Sequence, residues 1–184
     1  RKQSKYGPKS ARGLWAYVKR LNEDRAKKIS AAIVEFASQH SVDAIVIEHL
    51  DFKGCKKRGS KAQRLSMWNH GIIREKVEQK AHLLGIRIAT ICAWKTSALA
   101  FDGSGSVTRD DNNHALAKFT TGKQYNCDLS ASYNIGARYF IRELLKSLPA
   151  TEESRVKAKV PDVGRRTSCT LSTLRALVKE LSAA

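Results

Sequence analysis

The sequence predicts an α/β fold, and three observations carry that prediction. Residues 43–50 and 86–93 are short runs of β-branched and apolar residues that read as strands buried on both faces. Each follows a stretch whose apolar residues recur at helical spacing. The connections are short, Gly85 supplies a helix stop, and a crossover helix between two strands of one sheet lays them parallel.

Taken in order, residues 1–21 form a basic segment. The first thirty positions hold ten Lys or Arg against Glu23 and Asp24 alone. Tyr6, Trp15 and Tyr17 are interleaved with them, a mixture that stacks on bases and neutralises phosphates, although basic amphipathic helices share it. Trp15, Lys19 and Arg20 are its candidate nucleic-acid contacts. From Asn22, the residues Ile29, Ala32, Ile33, Phe36 and Ala37 mark an amphipathic helix that 38–41 breaks. The strand 43–50 carries Glu48 near its carboxyl end. Lys53, Lys56, Lys57, Arg58, Lys61 and Arg64 then surround Gly54 and Gly59 with no acid, the composition of a cationic loop. Leu65, Trp68, Ile72, Ile73, Val77, Ala81 and Leu84 predict a helix over 62–84, and the strand 86–93 comes next.

Residues 102–114 are rich in turn formers and match no phosphate-binding fingerprint, so Gly103 and Gly105 read as turn residues within a loop insertion at about 95–125. Asp128 opens a helix to about 148 through Leu129, Ile135, Tyr139, Leu144 and Leu145, with Pro149 beyond it. These elements make 22–148 the α/β domain. Residues 149–184 read as a basic linker, 150–168, and a last helix bearing Leu171, Leu174, Leu177, Val178 and Leu181.

The charge balance narrows the partners. Across 184 residues, 34 Lys and Arg stand against 17 Asp and Glu, a net +17, which favours condensation onto phosphate. A membrane partner is not expected, because the longest apolar stretches, 44–47 and 86–93, fall short of the ~20 residues a span needs. The chain begins with Arg1 and shows no secretory leader, so it is expected in the cytoplasm, as an internal or carboxy-terminal piece of a longer polypeptide. Cys55, Cys92, Cys127 and Cys169 lie 37, 35 and 42 positions apart, without the close pairs of a tetrahedral site. No zinc is predicted, and the thiols are expected reduced and mostly buried.

Two residues stand out chemically. A carboxylate within an apolar strand costs several kcal/mol unless a cation or a metal ion offsets it, which singles out Glu48. Asp128 sits where helix dipole and free amides favour a negative charge, which makes Asp a common cap there, and taken alone each of the two residues is more often structural than a ligand. Together they could share Mg²⁺ or Mn²⁺, and two such ions stabilise the attacking and leaving oxygens of phosphodiester cleavage.

The stretches Ile45-Val-Ile-Glu-His-Leu-Asp-Phe-Lys-Gly54 and Asn126-Cys-Asp-Leu-Ser-Ala-Ser-Tyr-Asn-Ile-Gly-Ala-Arg138 resemble the second and third RuvC motifs of the TnpB or OrfB insertion-sequence proteins and of the related type V CRISPR effectors. The resemblance runs from about residue 15 to 143. It implies an RNase H-like (RuvC) partial sheet flanked by helices, with Glu48 and Asp128 as catalytic, metal-holding carboxylates, and RNA-guided DNA cleavage with guide RNA and target DNA as partners. It also implies a prokaryotic source. The family's first strands and first catalytic Asp have no counterpart here, so the rest of a longer polypeptide or a partner chain is expected to supply them. Asp102, Asp110 and Asp111 are the substitutes within the chain. The family's four-cysteine zinc knuckle follows a Thr-Ser pair that matches Thr96-Ser97, but its cysteines are absent here. A nuclease-inactive RNA- and DNA-binding module of the same descent and a transposition accessory protein are the alternatives.

Overall fold

The computed structural model describes residues 11–50, 69–160, 163 and 166–183. The chain divides into two compact units, one of residues 1–45 and 52–88, the other of 46–51 and 89–184. Among the described residues no helix is long and apolar enough to cross a membrane.

In the first unit, α1 (Arg12–Gln39) packs along α2 (His70–Leu83). The inward row of α1 is Ala26, Ser30, Val34 and Ala37, and α2 buries Val77 and Ala81. These residues are small, and that lets the two backbones approach closely. Asn69 Nδ2, just ahead of α2, donates to the Asn22 carbonyl at 3.0 Å and fixes where the helices cross. Gly85 closes α2 at φ 70°, a conformation that costs glycine nothing, and Ile86 N reaches back to the Ala81 carbonyl at 2.9 Å.

Two readings change here. The helix expected from about Asn22 begins at Arg12, because Lys, Arg and Leu are good helix formers and a solvent-facing turn needs no apolar stripe to mark it. Of the expected apolar stripe Ala37 is buried, but the rest of the inward row lies one residue further along. Ile29, Ile33 and Phe36 are 45, 37 and 63% exposed, while the smaller residues beside them face α2. Residues 62–68, expected to start the second helix, lie outside the described ones, and Leu84 follows the helix at 57% exposure.

Strand β1 (Ala44–His49) pairs with β2 (Arg87–Cys92). Their like ends are adjacent: Arg87 N donates to the Asp43 carbonyl at the start, and Thr96, just past β2, bonds Glu48 near the end of β1. That is the expected parallel arrangement. In β2 the burial alternates, with Ala89 and Ile91 inward. Residues 44–48 of β1 are only half-buried, not buried on both faces, as fits a sheet of two strands.

The second unit also contains a three-stranded antiparallel sheet, β3 (Thr108–Arg109), β4 (Leu116–Lys118) and β5 (Gln124–Asn126), inside the stretch expected as loop. Ala117 pairs with Tyr125. Such short strands carry almost no periodicity, and their stability comes instead from rings. Phe101 meets Phe119, Tyr125 and Tyr133 with centroids 5.5, 5.1 and 5.0 Å apart. Gly103 adopts φ 84° in this insertion, and a Cβ there would come within 2.8 Å of Ser172 Oγ.

Helix α3 (Cys127–Ser147) crosses this unit and packs against α5 (Leu171–Ser182). Between them the expected linker forms α4 (Ala150–Lys159). Its Glu152 and Glu153 in the first turn and Lys157 and Lys159 in the last complement the helix dipole, and Glu153 pairs with Lys157 at 2.6 Å. Val156 and Val160 join Ile141, Leu145, Val163, Cys169 and Leu177 in the core. Leu129 and Val178, expected inward, are 46 and 47% exposed.

Candidate functional site

Glu48 and Asp128 both lie in the second unit, on elements that meet the turn after β2. That turn spans 93–98, with Lys95 in the left-handed region at φ 59°, which costs a non-glycine residue about 1 kcal/mol. The turn presents Thr96, only 3% exposed. Thr96 Oγ1 donates to Glu48 Oε1 at 2.5 Å, while the Ala93 carbonyl lies farther away, at 3.1 Å. A hydroxyl has one proton, and the closer, negatively charged acceptor takes it. One Glu48 oxygen is thereby fixed.

Asp128 is the second residue of α3. Its anticipated role as a cap falls to Asn126, whose side-chain oxygen accepts from the Asp128 and Leu129 amides, both at 3.0 Å. The Asp128 carboxylate is therefore spared for another role at an exposed helix start, where the dipole favours its charge. Cys127 Sγ lies 3.7 Å from the Ser97 carbonyl, so the Thr96-Ser97 pair touches both the Glu48 side chain and the start of α3.

Asn134 and Arg138 tie α3 to the same turn. Asn134 Nδ2 donates to the carbonyls of Thr96 and Leu99 at 3.0 and 2.9 Å. Arg138 is 2% exposed and serves four carbonyls: Cys92 and Trp94 through one terminal nitrogen, Thr167 through the other, Cys169 through Nε. Burial lowers its pKa, an effect countered by Cys169, Cys92 and Glu48 nearby. Reading the motif for its carboxylate overlooked both residues. The available signal was a polar residue at 130, 134 and 138, every fourth position of a row that turns apolar at Ile141 and Leu145.

Carboxylates are the hard oxygen donors that Mg²⁺ or Mn²⁺ prefers. Among the described residues no three His, Cys, Asp or Glu gather into a group that could hold a metal ion. Two of the aspartates considered as substitutes are used locally. Asp102 accepts from Ser104 N at 3.0 Å, and its hydrogen bonds to Ser104 lower its pKa. Asp110 accepts from the amides of Asn112 and Asn113 at 2.9 Å each, which lowers its pKa in turn. Cys127 and Cys169 are buried and Cys92 exposed, all three as free thiols, while Cys55 lies outside the described residues.

Of the candidate nucleic-acid residues, Trp15, Lys19 and Arg20 stand exposed on α1. Trp15 and Lys19 share a face one turn apart and line a groove of about 270 Å³ with Asn69 and Ile72 of the α2 side. Lys19 has Glu23 at 3.9 Å, an exposed pair of little energetic weight. Arg20 is turned about 100° around the helix from Lys19. Lys53, Lys56, Lys57, Arg58, Lys61 and Arg64 lie outside the described residues.

The fold is thus of an α/β class in which a parallel strand pair presents one carboxylate at its carboxyl end and a following helix presents another at its start. No protein-family model matches the chain, and no curated protein does. Among solved structures, the chain is similar to a chain of the Cas12f1–sgRNA–target DNA complex determined by cryo-EM, with a TM-score of 0.51 and 21% identity. The match covers 66% of this chain and 35% of that one, so this chain spans about a third of the matched chain. The likeness is one of fold.

Proposed function

We propose that this chain is a RuvC-like part of an RNA-guided DNA endonuclease of the TnpB or type V effector kind, with guide RNA and target DNA as partners. The observation that carries the reading is the placement of the two motif carboxylates on a fold shared with a Cas12f1 chain. Glu48 sits at a strand's carboxyl end, where ligands of open α/β sheets bind, and Asp128 at a helix start with its carboxylate spared. Both would hold Mg²⁺ or Mn²⁺, which when bound supplies charge stabilisation and a nucleophilic water for phosphodiester hydrolysis. Thr96 orients Glu48 through one oxygen, and the other would be available to hold the ion. Asn126 caps α3 and so leaves Asp128 available. The further carboxylate comes from the rest of a longer polypeptide or from a partner chain.

Protein expressed with its own genomic surroundings, so that its guide co-purifies, tests this directly. Asp128→Ala should abolish Mg²⁺-dependent cleavage while target binding stays the same or tightens slightly, because a negative charge beside a polyanion has been removed. Cleavage that survives both Asp128→Ala and Glu48→Gln would overturn the assignment. A nuclease-inactive binding module of the same descent is the second reading, favoured because the family's first catalytic Asp has no counterpart in this sequence. Wild-type protein that binds guide and target yet cuts in neither Mg²⁺ nor Mn²⁺ would select it.

A further inference from the structure

A cavity of about 140 Å³ opens beside the carboxyl end of β2, lined by Thr90, Ile91, Cys92, Arg138, Arg142 and Arg166. Three arginines line a space that holds little more than a few waters, and like charges gathered at one place repel. Protein anions offset only part of this. Arg142 Nε bonds Glu143 Oε1 at 2.8 Å, its NH1 reaches the Thr90 carbonyl at 2.9 Å, and Glu143 is shared with Lys146 at 3.4 Å. The Arg142 guanidinium carbon lies 5.3 Å from the Tyr139 ring centroid, and among the described residues its NH2 group makes no hydrogen bond. Arg138 is bonded to carbonyls and not to a carboxylate. Glu48 acts on it through space only, as the weakest of the charges around it. Arg166 is half-buried, with its backbone in the left-handed region at φ 58°, and its side chain bonds to no described residue.

Cations are gathered into a small cavity at a cost unless an anion compensates them, and among the described residues Glu143 alone is hydrogen-bonded to one of the three guanidiniums, with Glu48 acting on Arg138 through space. We propose that this cavity binds a phosphate-type oxyanion, with Arg142 and Arg166 donating to it and Arg138 contributing its fixed charge. Planar guanidinium forks match the geometry of phosphate oxygens, and Arg138, locked by its carbonyl bonds, loses no side-chain freedom when the anion arrives. The oxyanion has two sources, the backbone of a nucleic-acid strand or a free phosphate. The strand source rests on the function proposed above; the oxyanion site itself does not.

The test has two arms on the full chain, each comparing wild type, Arg142→Gln/Arg166→Gln and the control Arg175→Gln, which removes an exposed charge from α5. In the first, inorganic phosphate is titrated against chloride at matched ionic strength, and the melting temperature is followed. In the second, a short single-stranded oligonucleotide is bound across a salt series. Phosphate should raise the melting temperature of wild type and control but not of the double variant. The log–log salt slope for the oligonucleotide should fall by about one unit more in the double variant than in the control. A phosphate effect without a slope change supports the site with free phosphate as its ligand. Arg142→Lys/Arg166→Lys, which keeps the charge, should retain part of both effects, and a cooperative melting transition of the glutamine variant shows that it has not simply unfolded. A double glutamine variant indistinguishable from the control in both arms overturns the proposal. Cleavage enters neither arm, so failure of the nuclease reading leaves the result intact.

Discussion

Arg138 is the residue on which the second unit's local order depends most. Its guanidinium joins the end of β2, the turn after it and the segment leading to α5 through four carbonyl bonds. Desolvating the cation opposes this. Hydrogen bonds to a charged donor contribute roughly 1.5–3 kcal/mol each, so four of them outweigh the penalty. Arg138→Met, which keeps volume but removes every donor, should therefore cost about 3–5 kcal/mol and lower the melting temperature by on the order of 10 °C. A variant melting within about 2 °C of wild type would show that the carbonyls find other partners. Asp128 could be singled out from sequence because an acid at a helix start is visible in one dimension. The Thr96 bond to Glu48 could not, since its partners are 48 positions apart and only the parallel strand pair brings them together.

At the scale of elements, legibility followed how much apolar periodicity each carried. Helix α3 has it, strands β1 and β2 carry instead continuous β-branched runs, and all three fall where the sequence places them to within a residue or two. Helix α4 does not, because its packing rests on Val156 and Val160 against α3 and α5 while the rest is polar and solvent-facing. Its charges are arranged for a helix all the same, acids first and bases last, and that was the available signal. Val156 is fully buried, so Val156→Ala should cost about 2 kcal/mol by lost burial and the cavity left behind. Chemical denaturation would show it as a lower midpoint at unchanged slope. An effect below about 0.5 kcal/mol would mean that α4 is peripheral to the core and that the linker reading was energetically right. The β3–β5 sheet was illegible for a different reason: its strands are two or three residues long, and its rings are scattered from Phe101 to Tyr133.

For the whole molecule, net charge is the property the sequence states most directly, and it decides how the protein meets a polyanion. The +17 is spread unevenly, with ten of the basic residues in the first thirty positions and six more between Lys53 and Arg64. Each phosphate neutralised releases condensed counterions, so binding to DNA or RNA should be weakly sequence-dependent and should weaken steeply with salt, with a log–log slope of several units. Stacking on Trp15, 41% exposed on α1, would add affinity without adding slope, because a ring releases no counterion. The two contributions can therefore be separated. Lys56→Ala/Lys57→Ala/Arg58→Ala should flatten the slope by about 2 to 3 units on duplex DNA, whereas Trp15→Ala should weaken binding to single strands at every salt concentration and leave the slope alone. Fluorescence anisotropy across a salt series reads both quantities in one experiment. A slope unchanged by the triple substitution would place those three cations away from the backbone and leave α1 and the arginine cavity to account for the electrostatic binding.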